Sequence, residues 1–305
     1  MKIPKKTVEE AAAQAAKLVP LRIAGVPEHF NLPFMLGLER RAFVRAGVDL
    51  KWRTVPEGTG AMCELLRAGE LDLAILVTEG VVRDIVNGAP VRIVSPYVDT
   101  PVTWGVHVAS ATSILRVEDM KGLPFLISRP NSGSHLAAMA YARDHGWGDL
   151  DLQFEVVNDL KGARERLENG PPAVFLWERS TTKPLVDAGV LRCFDEYRAQ
   201  WPAFVIAARI AVLEEHGPQI GRLLKVVRDQ ASGLMSKRSA PEMIAQRYAM
   251  PVEDAKTWFT ATRWNVDGRM DPLVIASVTE ALHRCGLLDA ALDAGTCSTR
   301  LLHAW

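Results

Sequence analysis

The sequence predicts an α/β protein in which parallel sheets are covered on both faces by helices. Three observations predict it. Apolar runs of strand length alternate with helical segments from Leu21 to Val98. A second block of the same design follows, from Val102 to Phe204. Beyond Val212 the pattern turns helical to the end.

Leu21 to Val26 is the first strand, broken by Pro27-Glu28-His29-Phe30-Asn31-Leu32-Pro33, and a helix is expected from Phe34 to Ala46. Leu50 to Val55 is the second strand. Glu57-Gly58-Thr59-Gly60 then opens a helix whose apolar face is Met62, Leu65 and Leu66, with Gly69 at its C-terminal stop. Leu71 to Val77 is an apolar strand interrupted only by Asp72. Thr78-Glu79-Gly80 closes it and leads into a helix from Val81 to Val86. Val91 to Val98 is the fourth strand and Val102 to Ala109 a further extended run. Alternation at this pace implies a parallel sheet buried on both sides.

In the second block a helical turn around Val117 to Gly122 leads into the stretch on which the reading centres, Phe125-Leu126-Ile127-Ser128-Arg129-Pro130-Asn131-Ser132-Gly133-Ser134-His135-Leu136. It reads as a short buried strand, a polar turn and a helix start. Ser132 or Ser134 suits the N-cap, and Leu136, Met139 and Ala140 mark one helix face. Free N–H groups and the macrodipole at such a start, with Arg129 and His135 beside it, make an anion seat; equally, the serines serve only as caps. Strands follow at Gln153 to Val157, Ala173 to Trp177 (ending in Glu178) and Val190 to Phe194, with a helix at Gly162 to Glu168. Phe204 to Ile210 is strand-like and Val212 to Met235 a long helix. Ser239-Ala240-Pro241-Glu242 reads as a capping box; Pro251 and Asp271-Pro272 start the closing helices.

The chain has 305 residues, 36 basic and 36 acidic, and so no global pull toward nucleic acid or an acidic membrane. Hydrophobic content of 48% and charged content of 24% are those of an ordinary globular protein. Cys63, Cys193, Cys285 and Cys297 form no C-x-x-C pair, which fits a reducing compartment; Cys285 and Cys297 are left open as neighbours. No run of about 18 apolar residues exists, so no membrane insertion is expected. Residues 1–20 read as a lead: basic at Lys2, Lys5 and Lys6, but without the apolar core of a secretion signal. The expected compartment is the cytoplasm as written, or the periplasm had a signal been removed.

The order of these pieces resembles the type II periplasmic-binding-protein fold, and more narrowly the sulfonate, taurine and thiamine-pyrimidine binding group. Leu21 to Pro27 resembles the family's opening strand and first binding loop. Gly58-Thr59-Gly60 with Arg67-Ala68-Gly69-Glu70-Leu71-Asp72-Leu73-Ala74 resembles its helix followed by a G-E-x-D-x-A strand. Glu118-Asp119-Met120-Lys121-Gly122, followed by Ile127-Ser128-Arg129 and Ser132-Gly133-Ser134-His135, resembles its D-L-K-G turn, strand and Ser/Gly helix start. Pro241 to Asn265 resembles the closing helix pair. The likeness spans Leu21 to Leu288, and the cytosolic or fungal relatives of the transport proteins are nearest in pattern. It implies two lobes, each a mostly parallel sheet flanked by helices: residues 21–103 with 205–305, and residues 104–204. Hinge crossings would lie near Thr103-Trp104-Gly105 and Ala203-Phe204-Val205. It also implies a small-molecule ligand clamped between the lobes, with an ABC transporter as partner if the protein is exported.

Strand ends facing such a cleft supply the expected ligand contacts. They are Glu28, His29 and Phe30; Gly58, Thr59 and Gly60; Thr78 and Glu79; Arg129, Ser132, Gly133, Ser134 and His135; and Trp177 and Glu178. Trp104 and Trp201 lie near the crossings. The mixture suits a small polar ligand, anionic or heterocyclic, with an acceptor end toward Arg129 and Ser134 and a donor end toward Glu28, Glu79 or Glu178.

Enzyme motifs are absent. Cys63 occupies the place of the third glycine of a dinucleotide loop, and there is no G-x-S-x-G, Walker lysine or H-E-x-x-H. The seven histidines show no metal spacing, so neither metal nor cofactor is expected. Two enzyme groups on this fold remain the alternative. His29 would stand for the histidine of thiamine-pyrimidine synthases, whose cysteine-rich iron motif is missing here. Glu28 or His29 would be the base of a chorismate dehydratase-like lyase, whose motif is also missing.

Overall fold

Among the described residues, ten strands form two five-stranded sheets, and the two sheets draw on different stretches of the chain. The structure is a computed structural model that describes residues 18–130, 132–148 and 152–305. Asn131 and residues 1–17, most of the expected lead, lie outside them; Val19 and Pro20 already belong to the first strand.

The first sheet comprises β1 (Val19–Gly25), β2 (Val48–Thr54), β3 (Leu73–Val77), β4 (Val91–Val98) and β10 (Phe204–Arg209), in the order β2-β1-β3-β10-β4. The second comprises β5 (Thr103–Ala109), β6 (Phe125–Ile127), β7 (Phe154–Val156), β8 (Val174–Glu178) and β9 (Leu191–Arg198), in the order β7-β6-β8-β5-β9. In each sheet four strands run one way and a single strand runs against its two neighbours. That strand is β10 in the first sheet and β5 in the second. The reversed strands are the two that follow the crossings, residues 99–102 and 199–203.

Burial explains the apolar runs. Every residue of the inner strand β3 is buried, whereas the edge strand β2 turns Lys51, Arg53 and Thr54 outward. Asp72, the polar interruption just ahead of β3, is a fastening. It accepts hydrogen bonds from the Arg22 backbone N–H (2.8 Å), Arg22 Nη2 (2.7 Å) and Arg209 Nη2 (3.1 Å), tying β1 and β10 to the start of β3. Burial pushes its carboxyl up, but the bonds from Arg22 and Arg209 outweigh this and hold it below the usual carboxylate range.

Helices α1 (Leu32–Glu39), α2 (Ala42–Arg45), α3 (Thr59–Arg67) and α4 (Thr78–Val86) accompany the first sheet; α5 (Gly133–Asp144), α6 (Leu160–Asn169) and α7 (Arg179–Asp187) accompany the second. The single helix expected over Phe34 to Ala46 is instead α1 and α2, because Arg41 adopts a left-handed conformation (φ 53°) that no helix continues through. The C-terminal part is α8 (Ile210–Met235), α9 (Ala240–Tyr248), α10 (Val252–Ala261), α11 (Pro272–Arg284) and α12 (Ala294–Arg300). Inside α8 the ladder breaks at His216 (φ −129°), where Pro218 lacks an N–H and crowds the preceding turn. The expected capping box at Ser239 does not form: its side chain makes no cap hydrogen bond, and Pro241 supplies the helix start by its fixed φ.

One apolar core runs through both sheets. Ile23, Phe34 and Tyr97 of the first half join Val106, Phe125 and Leu176 of the second through Val102, Trp104, Ala203 and Phe204 at the crossings. The crossings are therefore packed and form the floor between the sheets. Phe34 is fully buried between Phe43 and Tyr97, and truncation to alanine would cost roughly 3–5 kcal/mol.

Candidate functional site

Above that floor the carboxyl ends of β1, β3, β6 and β8 converge on a cavity of about 270 Å³. This is slightly below the usual range of small-molecule sites, roughly 300 Å³ upward. Its walls are apolar: Pro27, Val77, Val102, Trp104, Trp177 and Phe204.

The loop after β1 is fastened from three sides. Asn31 Nδ2 donates to the Val26 carbonyl (2.7 Å), while Tyr97 Oη (2.7 Å) and Trp264 Nε1 (2.8 Å) both donate to the Phe30 carbonyl. The loop presents the Glu28 side chain to the cavity, and no hydrogen bond to its carboxyl forms among the described residues. Burial pushes this carboxyl up to about 8, with the Glu178 carboxylate adding to the push.

Gly58 starts α3 at φ 84°, a left-handed backbone that glycine adopts without strain. Thr59 follows, and its Oγ1 accepts from the Val77 N–H (3.0 Å), joining the start of α3 to the end of β3. Ser132 is the N-cap of α5, accepting from the His135 N–H (3.3 Å). Ser134 Oγ accepts from the Ser128 N–H (3.0 Å) and lies 3.0 Å from Ser132 Oγ. Glu178 caps α7, accepting from the Ser180 N–H (3.1 Å), the Thr181 N–H (2.7 Å) and Thr181 Oγ1 (2.7 Å). Trp177 stacks on Phe175 at 5.3 Å.

Of the residues expected from the sequence, Glu28, Gly58, Thr59, Ser132, Gly133, Ser134, Trp177 and Glu178 line the cavity. The other seven do not, each for a physical reason. His29 turns away into an aromatic cluster, 4.2 Å from Trp258 and 5.5 Å from Tyr248 between ring centres. Burial lowers its basicity against the opposing field of Glu178, and its Nδ1 finds no hydrogen-bond partner among the described residues. Phe30 packs on Phe204 and Trp258 and borders a second cavity, of about 240 Å³. Thr78 is buried and donates to the Pro202 carbonyl, holding the second crossing. Glu79 does similar work: its Oε2 accepts from Trp201 Nε1 (2.8 Å). Burial pushes the Glu79 carboxyl up, while its own backbone N–H and the Trp201 indole pull it back. His135 sits edge-on to Phe154 at 4.4 Å. Gly60 and Arg129 meet each other outside the cavity: a Cβ on Gly60 would lie 2.9 Å from Arg129 Cδ.

Trp104, Asp159, Leu160 and Thr181 line the cavity and were not among the expected contacts. Trp104 had a signal, a large aromatic residue at a crossing. Asp159 had a weaker one, an acid ahead of a helical segment, and it does cap α6 by accepting from the Gly162 N–H (2.9 Å). Leu160 and Thr181 carry no local signal. All four cysteines are free, so Cys285 and Cys297 do not pair. Among the described residues no cluster of three or more His, Cys, Asp or Glu side chains is placed to hold a metal, and no helix is long and apolar enough to cross a membrane.

Comparison with known proteins bears on this geometry. The family model of the Ca3427-like PBP matches residues 104–197, the stretch that builds the second sheet. No curated protein sequence matches the chain. The structure superposes on that of the Candida albicans CA3427 gene product, described as defining a family with the generic periplasmic-binding-protein fold. The TM-score is 0.87 at 24% identity, over 94% of this chain and 96% of that one. The chain has the type II periplasmic-binding-protein fold. Two further structures with this fold are similar. One is the alkanesulfonate-binding protein SsuA of Xanthomonas axonopodis pv. citri bound to MOPS (TM-score 0.76, 14% identity, 91% of this chain and 97% of that one). The other is the nitrate-binding protein NrtA of Synechocystis PCC 6803 (TM-score 0.69, 14% identity, 94% and 86%). In this periplasmic-binding-protein fold the cavity lies where open α/β sheets hold ligands, beyond the carboxyl ends of their parallel strands.

Proposed function

We propose that the protein binds one small molecule in the cavity between its two sheets, in the manner of a solute-binding protein. The observation that carries this reading is the convergence of four strand ends, β1, β3, β6 and β8, on one apolar cavity that contains an unpaired carboxyl group, Glu28. The binding-protein names of SsuA and NrtA support the same reading. In it, residues 19–98 with 204–305 form one lobe and residues 103–198 the other, the sequence-based bounds shifting because Thr103 pairs in the second sheet and Phe204 in the first, and the crossings at 99–102 and 199–203 are the hinge. The Lys183–Asp254 ion pair (3.5 Å), between α7 and α10, spans the two lobes. If the protein is exported, an ABC transporter is the partner to which it delivers its ligand.

Native mass spectrometry of the purified protein, with thermal shifts against metabolite fractions, tests the reading. The expected result is a stoichiometric small-molecule adduct, or a saturable rise in melting temperature, with the molecule recovered unchanged. Conversion of that molecule to a product would replace binding by catalysis. No adduct and no shift from any fraction would refute the cleft as a binding site.

A further inference from the structure

Resting on the cleft reading above, we propose that the ligand is a weak organic base with a flat apolar body, and that Glu28 receives its protonated nitrogen. The charge of the lining points this way. Glu28, Glu57, Asp159 and Glu178 all line the cavity, and no lysine, arginine or histidine does so among the described residues. The alkanesulfonate and nitrate named for two similar structures are anions, and this lining offers them no opposite charge.

The four acids are not equivalent. Glu178 is committed to the start of α7 through three hydrogen bonds. Asp159 caps α6 from an exposed position at the mouth, and Glu57 is exposed as well. Glu28 alone combines a half-buried position in the cavity with a carboxyl that no neighbour hydrogen-bonds, and a carboxyl open to the cavity in this way is a recognition element for a donor.

At the start of α5, one place that would seat an anion, the serine side chains are already engaged. The hydroxyls of Ser132 and Ser134 are bound to backbone N–H groups and to each other. The indole edge of Trp104 lies over Gly133, where a Cβ would come within 2.9 Å of Trp104 Cη2. Trp104 therefore roofs the first turn of α5 and offers a ring face or edge to a flat ligand. A carboxyl group beside an indole, in a cavity floored by Val77, Val102 and Phe204, is a site for an organic cation.

The test uses three probes of one size: benzamidinium (cationic), benzamide (neutral) and benzenesulfonate (anionic). Each is titrated into the wild-type protein, Glu28→Gln, and Glu70→Gln as a surface control. The readouts are thermal shift, indole fluorescence and calorimetry in buffers of differing ionisation heat. The expected order is benzamidinium first, with affinity falling at least tenfold in Glu28→Gln and unchanged in Glu70→Gln. About one proton should be released per benzamidinium bound to wild type, and none by the variant. Benzenesulfonate binding more tightly than benzamidinium, or equal benzamidinium affinity in wild type and Glu28→Gln, would overturn the ligand class and leave the cleft standing. If no probe binds and native mass spectrometry finds no adduct, the cleft reading itself fails, and this proposal with it.

Discussion

Arg129 lays its Cδ atom 2.9 Å from the point where Gly60 would carry a Cβ, so a side chain from one half of the molecule crosses the bare backbone of the other. The contact joins the start of α3 to the turn after β6. It exists because residue 60 has no side chain.

A larger residue at this point should keep the halves apart. Gly60→Leu is expected to raise the radius of gyration in small-angle X-ray scattering and to abolish ligand-induced thermal shifts, with far-UV circular dichroism unchanged. Adding Arg129→Ala should restore both, because the obstruction is the arginine stem. Arg129 Nε is buried and unpartnered among the described residues, so its removal deprives no acceptor of a bond from that nitrogen. A double variant as open as the single one would show that the contact does not limit closure.

Thr59 should matter for stability beyond its place in the cavity wall. Thr59→Val keeps the shape but leaves the Val77 N–H buried without its acceptor. The expected loss is about 1–3 kcal/mol in urea denaturation. A loss within experimental error would mean that Val77 finds another partner.

Glu28 gives stability a pH dependence of defined sign. Its carboxyl titrates near 8 in the folded protein against an ordinary value of 4.5. Between these values the folded chain holds a proton that the unfolded chain has lost. The contribution of the neutral form is therefore complete below about 4.5 and declines as pH rises to 8, at up to about 1.4 kcal/mol per pH unit. Glu28→Gln removes this slope. Melting curves from pH 5 to pH 9 should show the variant gaining on wild type up to about pH 8 and running level with it above; curves parallel from pH 5 to pH 8 would contradict the assignment.

His107 acts in the opposite direction. Burial lowers it from 6.5 to about 4, with its hydrogen bond to the Phe175 carbonyl (3.2 Å) resisting the change. Its Nδ1–H donates to that carbonyl, so Thr182 Oγ1 donates to its Nε2 (2.9 Å). Stability linked to the neutral ring is complete above 6.5 and declines as pH falls toward 4. His107→Gln should lose this acid sensitivity, measured as the difference in unfolding free energy between pH 7 and pH 5. Thr182→Val should cost about 1–3 kcal/mol at pH 7, where the ring is neutral and its Nε2 needs a donor.

The sheets were legible in the sequence because their signal is local. The unbroken burial of Leu73 to Val77 announces an inner strand, and Ser132 ahead of Gly133 announces a helix start. The break at Arg41 was not legible, because nothing local marks a left-handed arginine. The cavity was legible where a strand end faces it directly, as at Glu28 and Glu178, or where a helix starts beside it, as at Thr59. It was illegible where a polar residue serves a distant stretch of chain. Glu79 meets Trp201 and Thr78 meets Pro202, pairings that become visible only once the crossings are folded. Likewise His29 belongs to Trp258 and Tyr248, far along the chain. Strand position alone could not separate it from Glu28, its neighbour.

The two donors on the Phe30 carbonyl also govern the order in which the protein is made ready. Tyr97 is translated early, but Trp264 only when most of the chain has been synthesised. Until that indole emerges from the ribosome and docks, the loop carrying Glu28 lacks one of its three anchors, and a nascent or C-terminally clipped chain holds its acid less firmly.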